Sequence, residues 1–405
     1  MSLVRKVAYL TDVEGRWDKL VDFCAESPLV SLDAHGALRV SAGSVFVFGG
    51  DAVDRGPAGQ RIIATLLAAK SAQPDQVVLL AGNRDINKLR LLRELDGHPP
   101  PRAPQSAGRV ELLRFLLAQT MGARHAFEHR RAELGPVGDD DVVDSFLEEL
   151  APDGLLTRYL SLAALAHREG ETLFVHGGVT GENFGLVPGR AERATTVDGW
   201  VLGLNAFYAE RMDDFVARRL SRTGAPHWRE LVAYQAPLAG SKLNQGSVVY
   251  ARPVDDRGDP ELPAVAVIAA LAASGIRRVV VGHTPSGDCP ALVRDETGFE
   301  LLLADNSYGR IETGSRVTVD EGGLRVEGAT LLDSGERAEV SYQLALGAAS
   351  PLGWREAESG RLIKARLAGG DYLTFRARDG YEVEQLAMTQ TALAGAGLVV
   401  ARSLK

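Results

Sequence analysis

Carboxylates, amides, arginines and histidines recur in short clusters, and each cluster directly follows an apolar run of the sequence. The clusters hold Asp12 and Glu14; Asp51, Asp54 and Arg55; Asn83, Arg84 and Asp85; His176; His283; and Asp305. Oxygen and imidazole ligands without a thiolate suit divalent ions such as manganese, magnesium, iron or zinc. Seven or more such donors exceed the needs of one ion, so the pattern predicts two ions that share a bridging carboxylate.

Arginine beside these acidic clusters indicates the class of substrate. The planar guanidinium group binds two oxygens at once, which suits a phosphate better than a carbonyl group. Two metal ions that share a carboxylate activate a water molecule and hold a phosphoryl oxygen. The residue types therefore predict attack of water on phosphorus.

The clusters must be positioned by strands that end at one edge of a sheet. Apolar, β-prone runs at 4–10, 45–48, 77–80, 172–175, 278–281 and 299–303 each end in one of them. Helical spacing of apolar residues follows several of these strands, for example at 17–25. Since ligands of α/β sheets gather at the carboxyl ends of strands, we predict an α/β fold with a single shared site.

The periodicity changes twice along the chain. Residues from about 87 to 170 have helical spacing, which predicts a helical insertion or cap, with 155–165 as its last helix. Val248 to Tyr250 is expected to form a short strand. Beyond 309 the apolar residues alternate, which predicts β-structure. We expect a main domain of residues 1–347 and a small β-rich C-terminal region of residues 348–405.

The composition excludes several other classes of protein. The 405 residues carry a formal net charge of −8, with 45% hydrophobic and 24% charged residues, which argues against binding to a nucleic-acid backbone. Cys24 and Cys289 lie far apart, so neither a disulfide framework nor a thiolate zinc site is indicated. No signal-peptide core and no run of about 18 apolar residues is present. We expect a cytoplasmic protein.

The clusters resemble the motifs of a known family. In chain order they are Asp12-x-Glu14, Gly50-Asp51-x-x-Asp54-Arg55-Gly56, Gly82-Asn83-Arg84-Asp85, His176-Gly177 and Gly282-His283-Thr284. They resemble those of the calcineurin-like metallophosphoesterases. GGDAVDRG and GHTP are most similar to the branch that holds the serine/threonine protein phosphatases and the symmetrical bis(5′-nucleosyl)-tetraphosphatases. The resemblance covers about residues 4–310 and implies a four-layer αββα sandwich, here with a helical insertion and a β-rich C-terminal extension.

The resemblance also implies roles for individual residues. It implies that Asp12, Glu14 and Asp51 bind one metal ion, which we name position A, and that Asp51, Asn83, His176 and His283 bind a second, which we name position B. Arg55 would bind the substrate phosphate, with Asp54 supporting Arg55 or its loop. Arg252 resembles a second phosphate-binding arginine, the alternative being a solvated arginine at the rim.

Two residues depart from the family pattern, which has histidine at positions 14 and 84. Glu14 can still bind a metal through oxygen, and it favours magnesium or manganese over zinc, with iron or zinc as the alternatives. Arg84 cannot protonate a leaving group, and loss of a general acid costs about 10²–10⁴ in rate. With Asp85 beside it, Arg84 would act electrostatically on a good leaving group such as a nucleotide or aryl phosphate. The alternative is an Arg84–Asp85 salt bridge in a protein that no longer hydrolyses anything.

These observations predict a hydrolase. It would be a metal-dependent phosphoesterase that cleaves a phosphate mono- or diester or a nucleotide phosphoanhydride with water activated by two divalent ions. The expected partner is a small phosphorylated substrate or a phosphoprotein, with no nucleic-acid duplex and no membrane. The alternative is a catalytically impaired binding or scaffold protein on the same fold.

Overall fold

The computed structural model describes residues 5–104, 106–220, 224–306, 311, 314–378 and 382–402. The strands are β1 (Lys6–Leu10), β2 (Val30–Leu32), β3 (Leu38–Val40), β4 (Ser44–Phe48), β5 (Val77–Leu79), β6 (Ala166–Glu169), β7 (Thr172–Val175), β8 (Arg278–Val281), β9 (Ala291–Arg294), β10 (Glu300–Leu303), β11 (Arg316–Asp320), β12 (Gly323–Leu331), β13 (Arg337–Leu344), β14 (Trp354–Glu356), β15 (Leu362–Arg366), β16 (Tyr372–Ala377), β17 (Val383–Met388) and β18 (Leu398–Val400).

Helices follow or connect most of the strands. They are α1 (Trp17–Glu26), α2 (Gly59–Ala72), α3 (Asn83–Asn87), α4 (Leu91–Glu94), α5 (Arg109–Phe115), α6 (Ala126–Leu134), α7 (Asp139–Glu148), α8 (Leu155–Ser161), α9 (Val197–Val216), α10 (Arg229–Tyr234), α11 (Val265–Ala273) and α12 (Gln390–Ala394). A 3₁₀ turn (Lys88–Arg90) joins α3 to α4, and a π turn (Leu116–Thr120) extends α5. None of the helices in the described ranges is long and apolar enough to cross a membrane.

Two large sheets form the centre of the molecule. The first has the order β13-β12-β11-β1-β4-β5 and the second the order β6-β7-β8-β10-β9. Strands β1, β4 and β5 run parallel, as do β7, β8 and β10. These six strands are the six that the apolar runs predict, so the α/β fold expected from the sequence is confirmed.

The alternation of side chains along β1 and β4 builds the layers. Val7, Tyr9 and Val47 face the second sheet and share a buried cluster with Phe174 of β7. The rings of Tyr9 and Phe174 stack with their centroids 5.6 Å apart. The intervening residues point outward, where Phe46 meets Phe23 of α1 at 5.9 Å. Because both faces of these strands are buried, they are continuous apolar runs, and the layers are helix, sheet, sheet, helix as expected.

The predicted helical insertion contains helices α4 to α8, but its last part is not helical. The helix predicted over 155–165 ends at Ser161, and Ala166–Glu169 is strand β6. β6 pairs antiparallel with β7 across a tight turn in which Gly170 has φ +58°. The segment AHRE lacks the apolar run of a central strand, because it lies at the edge of its sheet.

Two other local predictions need correction. Residues 248–250, expected to be a strand, form a turn, because the carbonyl of Val248 accepts hydrogen bonds from the backbone of Gly177 and Gly178. Strand β9 and the β2–β3 hairpin were not expected. β9 pairs antiparallel with β10 at the edge of the second sheet.

The C-terminal part is rich in strands, as predicted. β11 pairs antiparallel with β1, so β11 to β13 complete the first sheet. Strands β14 to β18 form a third sheet of order β17-β16-β15-β14-β18. Ile363 and Leu373 of this sheet lie in the same buried cluster as Tyr9 and Phe174. The domain boundaries proposed from the sequence remain a prediction.

Replacing Phe174 with alanine tests the packing between the two large sheets. We expect Phe174→Ala to lower the free energy of unfolding by about 3–5 kcal/mol, because it removes a fully buried ring and leaves a cavity. Denaturant unfolding measures this change. Leu202→Ala is the control, since Leu202 is 73% exposed and its loss is expected to change stability by no more than about 0.5 kcal/mol. Equal effects of the two substitutions would contradict the layered core.

Candidate metal centre

The loops that follow β1, β4, β8 and β10 meet at one cavity, joined there by the start of α3. The cavity has a volume of about 410 Å³ and is lined by predicted site residues from all of these loops. These are Asp12, Glu14, Asp51, Arg55, Asn83, Arg84, Arg252, His283 and Asp305. His176, after β7, lies directly behind Asn83 and contacts it. The structure therefore brings the predicted clusters together.

The backbone of these loops is strained. Six non-glycine residues in the described part of the chain have positive φ angles, and five of them belong to the clusters. They are Asp12 (52°), Glu14 (48°), Asp51 (57°), Asp54 (111°) and His283 (57°). The loops hold one another in this conformation, since the backbone amides of Asp12 and Glu14 donate to the carbonyls of Gly50 and Asp51, both at 3.0 Å. Strain of this kind persists only where the surroundings enforce it, and it concentrates at functional sites.

The donors proposed for position B converge on one point. Asn83 Oδ1 lies 3.1 Å from His176 Nε2 and 2.7 Å from His283 Nδ1, and Asp51 Oδ1 lies 3.4 Å from His176 Nε2. The Nδ1 of His176 is 2.8 Å from the carbonyl oxygen of Gly49, which can only accept a hydrogen bond. In a neutral His176 this leaves a lone pair on Nε2, facing two oxygens. A metal cation is the partner that such an arrangement fits.

The protonation of His283 agrees with this role. Burial, and after it the positive charge of Arg252, lowers the pKa of His283 well below its usual value. A neutral imidazole is the form that binds a metal. Asp12, Asp51 and His176 are also all buried, with one ligand atom of each within 4.8 Å of the others. The donor set therefore fits a divalent ion.

Carboxylates crowd the other side of the cavity, at position A. Burial, with the neighbouring charges of Asp305, Asp51 and Glu14, raises the pKa of Asp12 well above its usual value. Burial also raises the pKa of Glu14 to about 7, although the guanidinium groups of Arg84 and Arg55 oppose the shift. The neighbouring carboxylates thus make ionisation of Asp12 and Glu14 harder, so the group as a whole needs positive charge.

Two arginines supply part of that charge. Arg84 Nε lies 2.6 Å from Glu14 Oε1, and Arg55 Nε lies 3.2 Å from Glu14 Oε2. Arg84 Nε is also 3.6 Å from Asp51 Oδ2. Only 13% of the Arg84 side chain is exposed. Both oxygens of Glu14 thus contact a guanidinium group.

Asp54 and Asp85 lie behind this layer. The carboxylate of Asp54 contacts Lys88 Nζ at 2.7 Å and Arg84 Nη1 at 3.6 Å, both pairs being nearly buried. Its expected support of Arg55 or its loop stays a prediction. The carboxylate of Asp85 accepts hydrogen bonds from the backbone amides of Asp51, Ala52 and Gly82 at 2.9, 2.9 and 3.2 Å. Asp85 thus supports the loop of Asp51, and any catalytic role of Asp85 would be indirect.

The cavity also contains residues that the sequence motifs did not identify. Asn87 and Arg90 line it together with Arg84, and so do Tyr250 and Gln235, whose Nε2 donates to Asn87 Oδ1 at 3.2 Å. The spacing of three residues from 84 to 87 to 90 places those side chains on one face of a helical segment, which is a signal that the sequence contains. Gln235 and Tyr250 come from distant segments and carry no such signal.

The sequence matches a known protein family. A family model described as calcineurin-like phosphoesterase matches residues 5–287, which is more than half of the chain. No curated protein matches.

Similar solved structures include two phosphatases. One is a cold-active protein-tyrosine phosphatase from a psychrophilic Shewanella species (16% identity, 83% of this chain, 80% of that chain, TM-score 0.45). The other is a protein serine/threonine phosphatase from Saccharomyces cerevisiae (14% identity, 86% and 82%, TM-score 0.39). A third similar solved structure is that of a putative diadenosine tetraphosphatase (16% identity, 84% of this chain, 95% of that chain, TM-score 0.30). At these values the likeness carries no argument about activity.

Gly82 provides a test of how tightly the loops must approach one another. A Cβ atom at Gly82 would lie 2.1 Å from Asp51 Oδ1 and 2.2 Å from the Asp51 backbone nitrogen. We therefore expect Gly82→Ala to displace Asp51 and to lower the free energy of unfolding by about 1–3 kcal/mol. Gly181→Ala is the control, since its Cβ meets no atom within 4 Å. Thermal and denaturant unfolding measure the stability of both variants. Equal stability would contradict the close approach of Gly82 to Asp51.

Proposed function

The chain belongs to the calcineurin-like phosphoesterase family and is a hydrolase, and we propose that it is a metal-dependent phosphoesterase acting at the cavity formed by the loops that follow the parallel strands. The observation that carries this proposal is the convergence of His176, Asn83 and Asp51, in which Nε2 of a buried imidazole lies 3.1 Å from Asn83 Oδ1 and 3.4 Å from Asp51 Oδ1. A purely structural site has no reason to bring such acceptors together without a cation.

Two divalent ions are part of the proposal. Asp51, Asn83, His176 and His283 would hold one ion at position B. Asp12, Glu14 and Asp51 would hold the other at position A. Oxygen-rich donors with two imidazoles favour manganese or magnesium. When bound, the ions activate a water molecule and stabilise a phosphoryl oxygen.

The substrate proposed for this site is anionic and carries a good leaving group. Arg55, Arg84, Arg90 and Arg252 all line the cavity, and guanidinium groups bind the non-bridging oxygens of a phosphate. Water would form a bond to phosphorus while the bond to the leaving oxygen breaks. Since Arg84 stands where the family carries a histidine acid, the leaving oxygen would depart without protonation by that residue. Aryl phosphates and nucleotide phosphoanhydrides are therefore favoured over alkyl esters.

The cellular setting is also part of this proposal. Cys24 and Cys289 are both buried and free, which fits a reducing compartment such as the cytoplasm. The proposed partner is a small phosphorylated molecule or a phosphoprotein.

Hydrolysis assays with an Asp51→Asn variant test the proposed activity. With manganese or magnesium present, we expect the wild type to hydrolyse p-nitrophenyl phosphate or diadenosine tetraphosphate much faster than phosphoserine, and chelation of the metal to abolish the reaction. Asp51→Asn is expected to fall to the background rate, because it weakens both metal positions. Equal background rates of the two proteins on a wide panel of phosphorylated compounds would favour the alternative, a non-catalytic binding protein.

Arg55 offers a separate test of phosphate binding. We expect Arg55→Met to lower kcat/KM by about 10²–10³, the usual effect of removing one preorganised donor from a developing negative charge. The control is Arg39→Met, which removes the same charge from a side chain that is 53% exposed and paired with Asp33. Steady-state kinetics measure both. A rate for Arg55→Met within twofold of the control would exclude Arg55 as the phosphate ligand.

A further inference from the structure

We propose that Arg84 and a metal ion compete for the carboxylate of Glu14, so that position B fills before position A. This inference rests on the proposed function, because it concerns the same metal centre. It explains why the two departures from the family pattern occur together in one chain.

Arg84 lies against two of the carboxylates proposed for position A, those of Glu14 and Asp51. Its backbone amide donates to Asp51 Oδ1 at 2.9 Å, which fixes the start of α3 against the carboxylate shared by both positions. Its guanidinium group then lies 2.6 Å from Glu14 and 3.6 Å from Asp51. Two of the three proposed ligands of position A therefore already share a positive charge.

Position B has a different set of donors. There Asn83 Oδ1 lies 3.1 Å from His176 Nε2 and 2.7 Å from His283 Nδ1, and His176 Nε2 lies 3.4 Å from Asp51 Oδ1. A metal ion entering B meets neutral donors and one carboxylate. A metal ion entering A must share Glu14 with Arg84 and Arg55, and like charges at such a distance repel strongly in a buried site.

The side-chain charges at positions 14 and 84 are also matched. Histidines at positions 14 and 84 would both be able to stay neutral, whereas Glu14 and Arg84 carry opposite charges that compensate each other. Loss of either residue would remove the shortest ion pair of the other and leave its buried charge compensated only by more distant groups, Arg55 for Glu14 and the carboxylates of Asp51 and Asp54 for Arg84. The pair is therefore a unit, and it places a permanent cation beside position A.

Manganese titration of the metal-free protein tests the competition. By calorimetry and electron paramagnetic resonance, we expect one tight equivalent with the six-line signal of an isolated ion, followed by a second equivalent bound at least about tenfold more weakly. Arg84→Met is expected to tighten the second equivalent by at least about tenfold. The matched control is Arg90→Met, which removes the same charge from the same cavity at a side chain paired with Glu94.

The outcomes separate this inference from the proposed function. Two equivalents of equal affinity in the wild type, or equal shifts in the Arg84 and Arg90 variants, would overturn the competition while leaving a metal-dependent enzyme. Absence of any bound manganese would overturn both. If Arg84→Met fails to fold, the double variant E14H/R84H replaces both charges together, and we expect it to bind two equivalents with similar affinity and an exchange-coupled signal.

A different observation supports a second inference: we infer that the third sheet positions the loop of His283 through Lys364 and Gln385. The side chain of Lys364 is fully buried, and its Nζ donates a hydrogen bond to the backbone carbonyl of Ser286. Gln385 Nε2 donates to Asp288 Oδ2 at 2.8 Å. Both contacts hold the segment that directly follows His283.

This segment needs such support. His283 has φ +57°, and its backbone amide donates to Asp12 Oδ2 at 3.2 Å. The amide of Ser286 in turn donates to the carbonyl of Asp305 at 3.2 Å, so the same segment also holds the loop after β10. A strained ligand persists only when its surroundings enforce its conformation. Lys364 and Gln385 lie beyond residue 287, where the family match ends.

Cobalt and manganese binding test the role of Lys364. We expect Lys364→Met to weaken the tight equivalent by about 10- to 100-fold, the usual effect of losing outer support of a metal ligand, and to change the visible spectrum of bound cobalt. Thr374→Val is the matched control, because its buried hydroxyl donates within the same sheet to the carbonyl of Leu386.

Stability distinguishes positioning from simple destabilisation. Lys364→Met leaves the Ser286 carbonyl without this donor, which lowers Tm to some extent. We therefore expect the metal affinity of folded Lys364→Met, measured below its Tm, to fall well below that of Thr374→Val. Unchanged metal affinity and cobalt spectrum in Lys364→Met would overturn the inference. If that variant does not fold, Gln385→Leu tests the second contact with the same measurements.

Discussion

Four carboxylates, those of Asp12, Glu14, Asp51 and Asp305, lie close together at one buried end of the two sheets, and this crowding makes ionisation of Asp12 and Glu14 more costly. This repulsion is the constraint on which the rest of the site depends, because the chain must supply or attract positive charge to keep the loops in place. Arg55 and Arg84 provide part of it directly. The histidines and Asn83 provide neutral donors on the side where a metal ion is the fitting partner.

The fold holds the loops in place against this repulsion through several independent sets of contacts. The strands are buried on both faces, so their ends are rigid, and the loops that follow them lock together through backbone hydrogen bonds. Asp85 adds a buried carboxylate that holds three backbone amides around Asp51. The third sheet adds support from the far side, through Lys364 and Ser286. These contacts keep the backbone strained, with positive φ angles at five cluster residues.

The pairing of Glu14 with Arg84 changes how the two departures from the family pattern should be understood. Taken separately, a carboxylate adds negative charge to a metal site and an arginine removes a proton donor. In the structure the two groups neutralise each other at 2.6 Å, beside the carboxylates of the site. This arrangement retains the charge balance of the cavity, and it makes the chemistry depend on leaving groups that need no proton.

The sequence by itself determined the positions of the six parallel strands along the chain, the polar cluster at each strand end and the type of proposed metal donor, because an apolar run that stops at a polar cluster is a local signal. Tertiary structure alone decided which charged groups meet. Residues from different elements meet in three such contacts. These are the ion pair of Glu14 with Arg84, the hydrogen bonds that Asp85 accepts from backbone amides, and the hydrogen bond of Lys364 to Ser286. Such contacts depend on the direction of side chains after the sheets have packed, which periodicity does not encode. The same reason explains the errors at β6 and at 248–250, where pairing with a neighbouring segment overrode local preference.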